Sequence, residues 1–183
     1  MASSGEVTAS TLPAMLGDQT LVGEWTLDSA RSTVALRSKS VWGLVTVKGV
    51  FRDVTGQGTV SADGQVSGSL TVAAASVDTK VGKRDTHLRS ADFFDTDNHP
   101  EIVFKATQVQ PAASGVTVSG TLTVRGKTNP VTFDATASVH DGNEVWLDAQ
   151  THIDRSDFGL TWNQLGMSAM HNTLTVHAVF TKN

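Results

Sequence analysis

Cysteine is absent from this 183-residue chain, so neither disulfides nor thiolate metal sites hold the fold together, and the composition suits a reducing compartment. Tyrosine is absent too, and charged residues make up only 17%, below the usual quarter. The 14 Lys and Arg against 18 Asp and Glu leave a formal charge of −4. Those cations are scattered, so no basic stripe exists to hold a phosphate backbone, and nucleic acid is excluded as an expected partner. No apolar run approaches the roughly 18–20 residues needed to cross a bilayer. No transmembrane segment is therefore expected, and membrane contact would be peripheral. Between Met1 and Gly23 there is no Lys or Arg, and Pro13 and Gly17 interrupt the segment, a pattern unlike a secretory signal. The expected location is cytoplasmic.

What is plentiful is Thr, Ser, Val and Gly, a mixture that favours strands and tight turns. The length is that of one domain. Residues 1–22 read as a polar, flexible leader in which Leu12, Met15, Leu16 and Leu21 are the residues able to dock, and residues 23–183 read as the domain. From Trp25 onward apolar and polar residues alternate with a period of two, the mark of half-buried strands. Val116, Val118, Gly120, Leu122 and Val124 face one way while Thr117, Ser119, Thr121, Thr123 and Arg125 face the other. Val131, Phe133, Ala135, Ala137 and Val139 form a second such row, and Leu174, Val176, Ala178 and Phe180 a third, with Val179 on the polar side of the last. Weaker strands are readable at residues 33–38, 41–51, 58–60, 65–77, 102–109 and 145–153. Turns are expected at Asp63-Gly64, Ser114-Gly115 and Asp141-Gly142. So many consecutive antiparallel strands must close on themselves or stack as two sheets, since open edges invite aggregation. A barrel of about eight strands encloses either packed side chains or one small ligand.

Alternation stops between Asp78 and Asp97. Val81, Arg84 and Leu88 fall at helical spacing there, which predicts a short helix near residues 79–95 covering the barrel. The run RDTHLRSADFFDTDNHPEIVF, from Arg84 to Phe104, is the most informative stretch. Asp85 and His87 are of the types that serve as general base and orienter. No Ser, Cys or Lys nucleophile lies beside them in a known motif, and the spacing fits no metal template, so no catalytic residue, metal or cofactor is assigned. Arg84, Asp85 and Arg89 can instead tie the helix to the barrel rim. In a third reading Arg84, Arg89 and His87 stand at a mouth and meet a polar or pyrophosphate head group, because Arg matches phosphate oxygens bidentately. Phe93 and Phe94 point to different sides, so one can cap a cavity while the other is core. The six His residues, at 87, 99, 140, 152, 171 and 177, are far apart and are expected to face solvent or bond locally. Among the tryptophans, Trp42 and Trp162 lie in Gly-rich segments and are the better ligand or rim candidates than Trp25 and Trp146. The stretch Gly166-Met167-Ser168-Ala169-Met170 reads as an adaptable loop.

Taken together, these segments resemble the YceI-like, polyisoprenoid-binding family of small lipocalin-like proteins. WTLDSARSTVALRSKSVWGLVTVKGVF (Trp25 to Phe51) resembles its opening strands, and RDTHLRSADFFD followed by HPEIVF its most recognisable stretch. GTLTVRGKTNPVTF (Gly120 to Phe133) and IDRSDFGLTWN (Ile153 to Asn163) resemble two further signatures in the expected order. The resemblance implies an all-β fold: one antiparallel, roughly eight-stranded, lipocalin-like barrel with a short helix, often dimeric, holding an isoprenoid chain in an elongated apolar channel. Relatives that bind quinones would fit the same cavity. A prenyl chain has no hydrogen-bonding groups and needs only apolar surface, at roughly 25 cal/mol per Å² removed from water. The expected channel residues are Phe51, Leu70, Val72, Phe93, Phe94, Phe104, Leu122, Phe133, Phe158, Trp162 and Leu174, with Arg84, Asp85, His87 and Arg89 at a polar rim.

Three functions follow as alternatives. The first is binding, storage or transport of a long-chain polyisoprenoid or isoprenoid quinone without chemistry. The second is an enzyme of lipid metabolism using the Asp85/His87 region. The third is a stress-related, partner-binding scaffold using the Met-rich loop and the leader. A tunnel through the barrel supports the first, and solid packing across it favours the third.

Overall fold

The structure, a computed structural model, describes residues 12–113 and 115–183. The earlier part of the leader and Ser114 of the expected Ser114-Gly115 turn lie outside the described residues, as does the side chain of Leu12. A short helix α1 (Leu12–Gly17) precedes β1 (Gly23–Leu27), β2 (Thr33–Ser40), β3 (Val45–Phe51), β4 (Val54–Val60), β5 (Val66–Ala73) and β6 (Val77–Asp78). Helix α2 (Gly82–Arg89) follows, then the long strands β7 (Glu101–Ala112), β8 (Gly115–Val124), β9 (Lys127–His140), β10 (Glu144–Asp154) and β11 (His171–Lys182).

All pairings are antiparallel and the sheet closes, so that the segments fill the eight positions of a barrel. β7 to β11 form a meander in sequence order. The other three positions are each built from two segments. β1 and β2 share one edge of β11, through Trp25↔Lys182 and then Thr33↔His177. β4 pairs with β1 as β3 pairs with β2, and β5 and β6 pair in turn with β4 and β3. β5 then meets β7. The breaks lie side by side and are bridged: Asp28 N–H donates to Val179 O at 2.8 Å, Ala73 N–H to Asp53 O at 3.0 Å, and Arg52 N–H to Ser76 O at 3.2 Å. The closed ring runs through β1, β4, β5 and β7 to β11, whereas β3 meets β6 only through Val50 and Phe51, which leaves residues 45–49 with β2 as their one sheet partner among the described residues.

The alternation read from sequence has a physical counterpart in β8, where Val116, Val118, Leu122 and Val124 are buried and the threonines between them are not. Val179 departs from the pattern. It stands on the outward register of β11 yet is only 1% exposed. The cause is the gap between β1 and β2, where the connection folds back and Ser32 Oγ accepts from Val179 N–H at 3.0 Å. The segment expected as one strand over 41–51 is also divided, since Val41 and Trp42 take positive φ and form a turn. At Asp141-Gly142 both residues have positive φ (52° and 71°), the conformation a tight hairpin of this hand requires.

Residues 12–22 differ from the expectation of a flexible leader. Met15, Leu16 and Val22 pack against a core cluster that contains buried Leu21, and Trp25 Nε1 donates to Leu21 O at 3.0 Å. Burial of these apolar side chains offsets the entropy of ordering the segment. Helix α2 is held differently, because it has no apolar stripe and its one buried residue is Asp85. Asp85 accepts from Thr79 N–H at 2.9 Å and Thr79 Oγ1 at 2.6 Å, and Arg84 donates to Thr79 O at 2.9 Å. Arg89 donates to the carbonyls of Ala75 at 2.8 Å and Val77 at 3.0 Å. Polar contacts to β6 and to the residues on either side of it therefore fix the helix over one end of the barrel.

Candidate functional site

The barrel interior is not filled. At the end covered by α2 lies a chamber of about 380 Å³, and at the end closed by α1 a second of about 200 Å³. Either is far larger than the roughly 10–15 Å³ that admits one water. Leu70, Phe104, Phe133, Ala149 and Val176 border both, so these five residues form the waist between the chambers. The rings of Phe104 and Phe133 stand 5.4 Å apart there. Gly120 makes the waist possible: a Cβ at this position would lie 2.9 Å from Phe104 Cζ and 2.1 Å from Lys105 O. With no side chain at Gly120, the Phe104 ring lies across the backbone of β8.

The eleven apolar residues read from the sequence as channel lining all border the α2-side chamber, with Leu70, Phe104 and Phe133 at its waist. Phe51 meets Phe94 edge to face at 5.9 Å. Of the four polar residues, Arg84 and His87 border the chamber, whereas Asp85 and Arg89 are turned into the contacts that anchor α2. Asp85 and His87 are not paired with each other, since His87 Nε2 bonds Asp92 Oδ2 at 2.8 Å. Trp25 lies in the floor of the second chamber, and Trp42 points away from both, 67% exposed.

An aromatic cluster joins α2 to the loop after β10. His87 packs edge to face on Trp162 at 4.4 Å and on Phe93 at 5.2 Å. Beneath them is Arg155, 7% exposed, which the sequence reading did not single out. Its Nε donates to Ala169 O at 3.0 Å, and its Nη1 to Leu160 O at 2.7 Å and Trp162 O at 2.8 Å. The guanidinium carbon lies 5.5 Å from the Phe93 ring centroid, and Nη2 has no hydrogen-bond partner among the described residues. Burial lowers the Arg155 pKa from its ordinary value. This one side chain ties together residues 155–170, whose backbone has no sheet partner.

The second chamber was also missed as a separate space. Its walls include Trp25, Val60, Val66, Val116, Val118, Ala135, Ala137 and Phe180. The usable signal was the small size of inward Ala135 and Ala137, which leave room where larger residues would fill the barrel. Among the described residues, no cluster of His, Asp or Glu is arranged to hold a metal ion. No helix among them is long and apolar enough to cross a membrane.

The sequence profile of the YceI-like domain matches residues 25–181. The chain is 38% identical over 99 residues to a UPF0312 protein of Serratia proteamaculans, covering 51% of each. It is 32% identical over 120 residues to Protein YceI of Escherichia coli O17:K52:H18, covering 61% of this chain and 62% of the relative. The matches thus span between half and two thirds of the length of these relatives. Among solved structures, Burkholderia cenocepacia BcnA is similar with a TM-score of 0.76 at 26% identity, over 84% of this chain and 98% of BcnA. A polyisoprenoid binding domain from Saccharophagus degradans is similar in fold, with a TM-score of 0.69 at 16% identity, over 87% of this chain and 98% of the other.

Proposed function

The chain belongs to the YceI-like family, and from that premise we propose that its barrel binds one long isoprenoid lipid, a polyisoprenoid or an isoprenoid quinone, and carries or stores it unchanged. The observation that supports this most directly is the pair of apolar chambers meeting at the Phe104–Phe133 waist. Taken together, their volumes fall in the range found for small-molecule sites, roughly 300–1,000 Å³. A branched hydrocarbon suits such a space because it leaves no polar group unpaired on burial. The Saccharophagus domain of the same fold, described as polyisoprenoid binding, lends further support.

In this reading the chain threads from the α2 side through the waist, and Phe51, Leu70, Val72, Phe93, Phe94, Leu122, Phe158, Trp162 and Leu174 contact its first part. Arg84 and His87, the polar residues of α2 on the wall, receive the head group. Binding without catalysis is favoured by what the polar residues already do: Asp85 is engaged by Thr79 and His87 by Asp92. Incubation with geranylgeraniol followed by extraction tests both halves of the proposal. The expected result is one molecule retained per chain and recovered with its mass unchanged. Conversion of the lipid would replace the carrier by an enzyme, and failure to retain it would remove the proposal.

A further inference from the structure

Large apolar side chains exposed to solvent are concentrated in two loops. Trp42 (67% exposed) and Leu44 (83%) occupy the β2–β3 turn, followed by Val45, and Leu165 (77%) tops the loop after β10. The loops touch: Trp42 N–H donates to Met167 O at 3.1 Å, and Ala169 N–H to Lys39 O at 2.9 Å. Together they form one apolar patch, of the kind that marks an interaction site on a soluble domain. Val41, Trp42 and Leu165 all have φ between 51° and 54°. This is a region that β-branched and bulky residues avoid, so the chain accepts strain to present these side chains.

Two further observations identify what the patch faces. The first is charge. From residue 29 to residue 52 the chain carries Arg31, Arg37, Lys39, Lys48 and Arg52 and no Asp or Glu, and residues 158–170 carry no charged residue at all. That is unusual local bias in a chain with more acids than bases. Arg37 and Lys48 sit directly opposite each other in the β2–β3 register, next to the Lys39–Thr46 pair. Like charges so placed repel. Arg37, Lys39 and Lys48 are exposed and, among the described residues, none lies within ion-pair distance of a carboxylate. The second is continuity with the interior, because Ser38, Ser40 and Val47 on the strands flanking the first loop, and Gln164, Met167 and Ser168 of the second loop, border the α2-side chamber.

The geometry points to a docking surface for an anionic lipid bilayer, on which Trp42, Leu44 and Leu165 enter the headgroup layer while Arg37, Lys39 and Lys48 meet its phosphates. Trp suits that layer, being amphipathic, and each cation near an anionic leaflet adds roughly fivefold to binding. A second copy of the chain is the poorer occupant, since a symmetric contact would set these cations against their own equivalents. The inference extends the proposed lipid binding by naming where the lipid enters, and rests on that reading for the entry role alone.

Co-sedimentation with phosphatidylcholine vesicles, with and without about a third phosphatidylglycerol, tests the surface. Uptake of dansyl-farnesol from solution, measured in parallel, tests the chamber. The protein should pellet with the anionic vesicles on the order of a hundredfold more tightly than with the neutral ones, from its three cations. R37Q/K39Q/K48Q should abolish that preference, and W42S/L44S/L165S should reduce binding at least tenfold. None of Trp42, Leu44 or Leu165 borders a chamber, so W42S/L44S/L165S should take up dansyl-farnesol as the parent does. Equal binding to both vesicle types, or binding indifferent to W42S/L44S/L165S, overturns the docking surface. So does a solution dimer that W42S/L44S/L165S dissociates, which would give the patch to a second copy. Vesicle binding with the expected dependence but no dansyl-farnesol uptake upholds the docking surface and removes the chamber reading instead.

Discussion

Substituting Ala149→Phe places a ring in the waist shared by the two chambers, beside Phe104 and Phe133. Ala149 is on β10, paired with Ala135 and Val176, and its side chain faces a void, so the ring can enter without displacing the wall. A long chain would then lose the second chamber and a short one would not. That chamber, of about 200 Å³, holds about seven methylene-sized groups if each takes about the volume of a liquid water. At about 0.8 kcal/mol per buried methylene, the loss is about 5–6 kcal/mol, close to ten-thousandfold in Kd. Calorimetric titration with geranylgeraniol and with geraniol separates the cases. The first should weaken by about three to four orders of magnitude with a smaller negative heat-capacity change, and the second should change by less than about threefold. Equal weakening of both ligands, in a protein with an unchanged melting temperature, would refute the idea that the chambers form one path.

Other outcomes follow from the contacts that shape the site. Asp85→Ala leaves the Thr79 N–H and hydroxyl without their acceptor and should cost about 2–3 kcal/mol in urea denaturation; a cost below about 0.5 kcal/mol would show the contact idle. Arg155→Met strands the carbonyls of Ala169, Leu160 and Trp162, so amide exchange over residues 158–170 should accelerate by at least tenfold, while exchange in β8 and β9 stays slow. The N–H of Lys80, followed by the Arg52 side chain, holds the Asp78 pKa down from 3.8 to about 2. Its contribution to stability is therefore complete above about pH 4 and lost as pH falls through 2. Asp78→Asn should flatten the acid limb of the melting-temperature profile, and an unchanged limb would show that Asp78 does not contribute to it.

The strands were legible because inward and outward residues alternate cleanly, as in Val116 to Val124, whereas alternation left a barrel and two stacked sheets open and the barrel came from the family resemblance. Packing across gaps in the sheet was not legible. Val179 sits in a polar register and is buried only because β1 and β2 part above it. The chamber wall was visible as a row of large apolar residues, but the division at Phe104 depends on the approach of two backbones at Gly120. Arg155 was passed over because its role lies in three backbone carbonyls of its own loop, which no pattern of residue types records. For α2, the run from Arg84 to Phe104 stood out in the sequence, while the split between Arg84 and His87 on the wall and Asp85 and Arg89 in the anchor required coordinates.

Native mass spectrometry of protein purified from cells without detergent tests the central claim most directly. The expected result is a one-to-one adduct that dissociates on activation to give an apolar lipid with the repeating mass of isoprene units. Protein that stays adduct-free, and that takes up no prenyl lipid when long and short chains are supplied, would contradict it.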